Sequence, residues 1–332
     1  MNEVVPGIHQ LQIDIPNSPL GHTNSYLVRR EDDYLLIDTG WNSEEAFKSL
    51  KEQLDEVGTD IRNIGQIIIT HVHPDHYGLV SRFIEKSMVN ISLHKLEKDI
   101  VDFRYPKMNE YLRQVQQWLQ ANGIPNDLLS IMLTTPPGGK RVPFSSGPNV
   151  TILQEGEIVR AGVFNFQVLW TPGHSPGHIC LYEQTNRILF SGDHVIPGIT
   201  PNISLATPSG VNPLRDFFNS LERIKVLDVN LVLPGHAQPF TDLSTAIEEV
   251  LQHHEFRIGE MLQALVTQPK TAYEVSTEMT WMLDEGGTRF HNLTPWDKIM
   301  AITEALAHLE AMRIEGRLDK YMSDNVIYYH IA

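Results

Sequence analysis

The chain has 332 residues, a length that suits one large domain with a smaller second one. Hydrophobic residues make up 41% of it and charged residues 20%, a composition that excludes disordered, collagenous and coiled-coil proteins. Its 26 basic and 41 acidic residues give a net charge of −15, which disfavours extended binding to the phosphates of a nucleic acid.

Cysteine content and apolar runs indicate where the protein resides. The single cysteine, Cys180, excludes a disulfide framework. The first residues do not combine a basic start with an apolar core, so no secretory signal is predicted. No apolar run approaches the roughly 18 residues that a membrane span needs. We therefore expect a soluble, cytoplasmic protein with no membrane partner.

The first part of the chain alternates between strand-like and helical patterns. Residues 43–57 have apolar side chains at helical spacing, with Leu50 and Leu54 on one face and Gly58 just past the end. Strand-like runs surround this helix at 7–15, 24–37, 64–70 and 91–94. Residues 97–149 break the alternation, and we interpret them as an inserted lid segment. Its aromatic and methionine side chains either form an apolar lid or, the alternative that we favour, anchor the insertion to the body of the protein.

The pattern changes again towards the carboxyl terminus. Strand-like runs resume at 157–170, 178–183, 187–190 and 230–233. Helical patterns then occupy 243–266, 271–283 and 295–314, and short strand-like runs follow at 317–322 and 326–331. Helices followed by a terminal hairpin resemble a winged-helix module. We predict a first domain at 1–242 and a small winged-helix-like domain at 243–332.

A dense group of metal-ligand side chains follows the strand at 64–70. Here the sequence reads His-Val-His-Pro-Asp-His, from His71 to His76. Two residues apart on an extended backbone, His71 and His73 point to the same side. The proline ends the strand and suits entry into a turn or helix, which can bring Asp75 and His76 back beside the first pair.

Three more ligand-type residues, His174, Asp193 and His236, stand at similar places in the chain. Each follows an apolar strand-like run, with a glycine directly before it that permits a sharp turn. The ends of strands in one sheet meet at a shared edge, so these side chains can converge on the first group. Five imidazoles and two carboxylates suit zinc, and they are too many for one tetrahedral ion but fit two.

This pattern resembles the metallo-β-lactamase superfamily over about residues 4–241. The resemblance implies an α/β (α+β) fold, an αββα sandwich of two facing mixed sheets with helices outside. It also implies two zinc sites, the first held by His71, His73 and His174, the second by Asp75, His76 and His236, with Asp193 bridging both. Asp38 matches the first motif of the family, where this residue organises the ligand loops without binding metal.

This sequence differs from some branches of the superfamily, and these differences reduce the number of branches that it can resemble. The commonest true β-lactamases carry cysteine where this chain has Asp193 and lack the histidine at position 76. Flavodiiron proteins have glutamate in the place of His73. The pattern is instead similar to glyoxalase II, lactonases and the β-lactamase-like protein 2 group, the last of which also has a C-terminal winged-helix-like domain.

These features lead to a functional hypothesis. We expect a dinuclear zinc-dependent hydrolase that uses a metal-bridging hydroxide to cleave a small thioester, ester or lactone. In this scheme Asp75 carries the proton to the leaving group. Iron or manganese are alternatives to zinc. An endoribonuclease or phosphodiesterase, a mononuclear-iron sulfur dioxygenase, and a transcription regulator that uses the winged helix are the competing functions.

The charge of the predicted C-terminal domain indicates whether it can bind a nucleic acid. Residues 251–332 contain 7 basic and 12 acidic side chains, so the C-terminal domain lacks the cations that duplex binding needs. We therefore expect a small-molecule substrate and no nucleic-acid partner, while homo-oligomerisation stays open.

Overall fold

The chain forms two compact units in the computed structural model. The described residues are 2–16, 18, 20–104, 107–134, 147, 149–205, 212–282 and 286–332. The first unit consists of Met1–Pro106, Val142–Pro197 and Arg223–Ser244. The second consists of Lys107–Arg141, Gly198–Glu222 and Thr245–Ala332. No helix among the described residues is both long and apolar enough to cross a membrane.

A mixed sheet forms one half of the first unit. Its strands are β1 Asn2–Val5, β2 Ile8–Asp14, β3 His22–Arg29, β4 Tyr34–Ile37, β5 Ile64–Ile68, β6 Asn90–His94 and β7 Val150–Leu153. Within the described residues they lie in sequence order, antiparallel from β1 to β4 and parallel from β4 to β7. The helices of this unit that lie between them are α1 Glu44–Val57, α2 Pro74–Tyr77, α3 Val80–Ile84 and α4 Lys95–Asp99, with a 3₁₀ turn at Ile61–Asn63 and a π-helical segment at Ile100–Arg104.

The predicted helix at 43–57 is confirmed as α1, and its ends follow from local chemistry. Ser43 has an extended backbone and its hydroxyl accepts a hydrogen bond from the amide of Ala46, which satisfies one free donor of the first turn. Gly58 ends the helix with φ of 83°, a left-handed conformation that favours glycine. The apolar face of α1 buries Leu50 and Leu54 against the first sheet.

A second mixed sheet packs against the first. Its strands are β8 Ile158–Ala161, β9 Phe164–Trp170, β10 Ile179–Glu183, β11 Ile188–Gly192 and β12 Leu231–Pro234. They lie in the order β12-β11-β10-β9-β8, and β11 and β12 are parallel. Phe166 and Phe190 of this sheet share a buried core with Val28, Leu35 and Ile68 of the first sheet. The two facing sheets, with helix α1 on the outer side of the first, give the α/β sandwich that the sequence predicts.

The second unit is built mainly from helices. The remaining elements of the chain are α5 Met108–Ala121, α6 Asn126–Thr134, α7 Pro213–Lys225, α8 Leu243–Leu265, α9 Ala272–Glu278, β13 Thr280–Trp281, β14 Thr288–Arg289, α10 Pro295–Ile314, β15 Leu318–Ser323 and β16 Val326–Ile331, with a short turn at Phe290–Asn292. Strands β15 and β16 form an antiparallel hairpin. Its turn residues Asp324 and Asn325 both have positive φ, as a tight hairpin turn requires.

One predicted helix of this unit is shorter than the sequence suggests. The pattern at 271–283 predicts a single helix, but α9 ends at Glu278 and Thr280–Trp281 forms a strand. Met279 is extended, and the indole of Trp281 folds back to donate a hydrogen bond to the carbonyl of Ser276. The helix ends early because burying the large ring of Trp281 stabilises the protein more than a further turn of helix would.

The predicted lid segment contributes to the core of the second unit. Val115 and Leu119 of α5 and Leu129 of α6 are buried in one apolar cluster with Ile302 and Leu306 of α10. These helices therefore have a packing role. Residues 105, 106, 135–146 and 148 of the segment lie outside the described residues. A covering role for this segment stays a prediction, as do the domain boundary at 242 and the winged-helix assignment.

Acid is expected to destabilise the protein through His308 of α10. Burial lowers the pKa of His308 to about 4, and its side chain faces His254, with Arg257 nearby. The unfolded chain, with a pKa of roughly 6.5, takes up this proton at higher pH than the folded chain. The contribution of His308 is therefore fully present above pH 6.5 and is lost as the pH falls, by about 3 kcal/mol in total at pH 4.

Urea unfolding at pH 7 and pH 4 measures this effect. The free energy of unfolding should depend less on pH in a His308→Gln variant than in the original chain, by about 3 kcal/mol. A His291→Gln variant, which changes an exposed histidine of the same unit, is the control and should keep the original dependence. Equal pH dependence in all three proteins would contradict the assignment.

Candidate metal centre

The His71–His76 segment leaves strand β5 and enters helix α2, as its sequence predicts. His73 has an extended backbone and directly precedes the helix, and Pro74 occupies its first position, where no amide donor is needed. This turn brings Asp75 and His76 back towards His71, and the rings of His71 and His76 lie 4.2 Å apart between centroids. Both of these imidazoles are fully buried.

Two glycines bring the later residues into the same place. Gly192, directly before Asp193, has φ of 50°, and a β-carbon there would lie 2.6 Å from Nε2 of His178. A β-carbon at Gly235, directly before His236, would lie 2.3 Å from Oδ1 of Asp193. The glycines after these strands are therefore required by close packing around the site as well as by the turn.

All seven predicted side chains lie in one cluster at the carboxyl ends of the strands. Their donor atoms form three overlapping groups, each within 4.8 Å: His71, His73 and His174; His71, His76 and Asp193; and Asp75, His76 and His236. Asp193 lies centrally, because its Oδ2 is 3.6 Å from Nε2 of His174 and 3.4 Å from Nε2 of His236. One carboxylate thus lies between two sets of imidazoles.

Hydrogen bonds outside the cluster fix which ring nitrogen faces it. Asp38 accepts from the Nδ1 of His76 at 2.8 Å, and the carbonyl of His22 accepts from the Nδ1 of His236 at 2.8 Å. Asp38 also accepts from the amide and hydroxyl of Thr70, as expected of a residue that organises the ligand loops. In both histidines Nε2 is therefore left to face the centre.

The charges of the cluster divide its imidazoles into two kinds. Burial and the neighbouring imidazoles lower the pKa of His71 well below its usual value and that of His73 to about 3. Burial also opposes the charged forms of His76 and His236, but the Asp193 carboxylate and other acids outweigh it. They raise the pKa of His76 well above its usual value and that of His236 to about 10. The carboxylates therefore favour positive charge beside them, which either these protons or bound cations can supply.

These residues fit divalent metal ions. Nε2 of His71 is buried and forms no hydrogen bond within the described part of the chain, and the nearest carboxylate oxygen of Asp193 is 3.8 Å away. A buried polar atom without a partner is costly unless a ligand satisfies it. Ligating imidazoles must be neutral, so cations would displace the protons on His76 and His236. The donor set of imidazole and carboxylate suits zinc and related metals.

Three residues outside the seven proposed ligands support the site. The ring of His178 accepts a hydrogen bond from the amide of Asp193 at 3.1 Å. Asn24 donates to the carbonyls of Pro234 and Ala237, on both sides of His236. Glu97 is fully buried beside the first part of the cluster. Only His178 had a sequence signal, its position close to a predicted ligand.

The comparisons with known proteins agree with this geometry. Residues 18–236, more than half of the chain, match the metallo-beta-lactamase superfamily. The chain belongs to this superfamily. A superfamily member from Thermus thermophilus has a crystal structure that aligns with a TM-score of 0.81 at 28% identity, over 99% of this chain and 100% of that one. The predicted fold is thereby confirmed.

Relatives with described activities fit the same class. A probable metallo-hydrolase of Bacillus subtilis, YqjP, is 27% identical over 93% of this chain and 93% of its own length. The human acyl-coenzyme A thioesterase MBLAC2 is 28% identical over 65% of this chain and 74% of its own length. This chain is therefore a metal-dependent hydrolase.

Proposed function

We propose that this chain is a dinuclear zinc-dependent hydrolase of thioesters, and that acyl-coenzyme A compounds are the first class to test. The central position of Asp193 between two sets of imidazoles carries the dinuclear part of the proposal. The similarity to a human acyl-coenzyme A thioesterase supports a thioester over an oxygen ester or a lactone.

The proposed ligand sets follow the groups of donor atoms. His71, His73 and His174 would hold one ion, Asp75, His76 and His236 the other, and Asp193 both. When bound, two such ions supply an activated water at neutral pH and polarise the carbonyl oxygen of the substrate.

The side chains of the protein then orient the reaction and move the proton. Asp75 is the acid of the cluster with the more accessible side chain, 16% exposed against 9% for Asp193. Although burial opposes ionisation, the positive charge of His76 holds the pKa of Asp75 below its usual value. Bound cations, which would displace the proton of His76, would favour the ionised carboxylate in the same way, so Asp75 is ionised at neutral pH. The Asp75 carboxylate can therefore accept a proton from the attacking water and pass it to the departing sulfur.

Removal of metal is expected to abolish activity. Protein purified without chelators should contain close to two zinc ions per chain, and a thiol-detecting assay should show hydrolysis of acetyl- and longer acyl-coenzyme A. Dialysis against a strong chelator should reduce the rate at least about 100-fold, and added zinc should restore it, because water loses its activation without the ions.

Two controls separate the competing functions. A matched lactone and a short RNA should be poorer substrates than the thioester, and activity on RNA alone would reverse the proposal. One iron per chain, with oxygen consumption in the presence of a persulfide, would favour the sulfur dioxygenase instead.

A further inference from the structure

A fully buried glutamate, Glu97, lies next to the cluster without belonging to it. It is in helix α4, which follows strand β6 at the same sheet edge where His71 follows the parallel strand β5. One oxygen, Oε2, accepts from the amide of Val72 at 2.8 Å. The other, Oε1, accepts from the amide of Gly177 at 2.7 Å and from the hydroxyl of Ser175.

These donors belong to the two segments that supply the first proposed metal set. Val72 lies between His71 and His73, and Ser175 directly follows His174. Across the gap between the segments, Nδ1 of His73 and Nε2 of His174 are only 3.0 Å apart. One carboxylate therefore joins two stretches of backbone that are about a hundred residues apart in sequence but must hold their imidazoles at a fixed separation.

The residues around this carboxylate are closely packed and leave no room for a larger side chain at Gly177. A β-carbon at Gly177 would lie 2.8 Å from the Cγ of Glu97 and 2.9 Å from Nδ1 of His94. Any larger residue would push the segment of His174 away from Glu97. Both oxygens of Glu97 accept hydrogen bonds, and an amide side chain, which has one accepting oxygen and one donating nitrogen, could not accept from both segments in this way.

We propose that Glu97 is a positioning residue that holds the His71–His73 segment and the His174 segment together for metal binding. This inference rests on the proposed function, because it assigns these three histidines to one ion. Glu97 does not touch the ion or the substrate. It acts through the backbone on either side of the ligands, and its effect should therefore appear in metal affinity before it appears anywhere else.

The decisive measurement is zinc affinity by competition with a chromophoric chelator. The Glu97→Gln variant keeps the shape of the side chain but replaces an acceptor by an amide group that donates. We expect zinc at the first set to bind about 10–100-fold more weakly, the range seen when residues that support ligands are changed. The kcat at subsaturating zinc should fall with it and should be restored by excess zinc.

The matched control is Glu183→Gln. Glu183 is also buried and accepts from the amide and side chain of Asn186, at the opposite end of strand β10 from the cluster. This variant should lose thermal stability without any change in zinc affinity. If both variants lose stability alike and both keep the original zinc affinity, Glu97 is merely structural and the inference is overturned.

Ser175→Ala provides a second, milder variant in case Glu97→Gln does not fold. It removes a single donor to Glu97, and we expect a several-fold loss of zinc affinity; an unchanged affinity would contradict the proposal. Failure of the proposed function looks different, because the original chain itself would then bind no zinc pair or hydrolyse no thioester.

Discussion

Replacing Asp193 by asparagine is expected to lower kcat/KM by at least about 100-fold and to reduce the metal content below two ions per chain. Changing a residue that merely supports a ligand already costs about 10–100-fold, and Asp193 faces both sets directly. Its Oδ2 is 3.6 Å from Nε2 of His174 in the first set, and its Oδ1 is 3.3 Å from Nε2 of His76 in the second. The amide keeps the volume but loses the negative charge that, in the proposed arrangement, two cations would share.

Metal analysis and steady-state kinetics on the same preparations test this expectation. Asp228→Asn is the control, since Asp228 is an exposed aspartate of the same unit that pairs with Arg187. That variant should retain both metal and activity. Full metal content together with unchanged kcat/KM in Asp193→Asn would contradict the proposed bridging position.

The cluster could be predicted from the sequence because each of its parts is locally determined. The run from His71 to His76 encodes a strand end, a proline and a helix start within six residues, and His174, Asp193 and His236 each follow a glycine after a strand. Such signals need no knowledge of distant contacts. The parallel pairs β4–β5–β6 and β11–β12 then place the strand ends together, as the resemblance to the superfamily implies.

Which helices pack together in the second unit could not be predicted from the sequence in the same way. Helix α5 has an apolar face whatever it packs against, and its periodicity does not identify Ile302 and Leu306 as neighbours. The same limit applies to Trp281, whose burial ends helix α9 where the helical spacing continues. Both outcomes depend on which apolar surfaces meet, and that is a property of the folded chain.

Glu97 is the clearest example of a contact that local sequence patterns cannot predict. Its neighbours in the sequence, Lys95, Lys98 and Asp99, are charged, and such a run is typical of a solvated helix face. The fold nevertheless buries Glu97, because the amides of Val72 and Gly177 approach it from two distant segments. No spacing in the sequence indicates these donors.

Replacing Asp75 by asparagine is expected to lower the kcat for an oxygen ester by about 10²–10⁴-fold at saturating zinc, the usual cost of losing a positioned proton carrier, and the kcat for a thioester by less. The size of the loss should depend on the leaving group. A thiol has a pKa of roughly 8.5, whereas that of an alcohol lies closer to the value of about 15.7 for water, so a departing thiolate needs a proton much less.

A thioester and an oxygen ester with the same acyl group therefore distinguish two roles of Asp75. If Asp75 carries the proton, the oxygen ester should lose more activity than the thioester. If both lose activity equally while zinc is fully bound, Asp75 acts only by holding the ion, and the proton-transfer role is wrong.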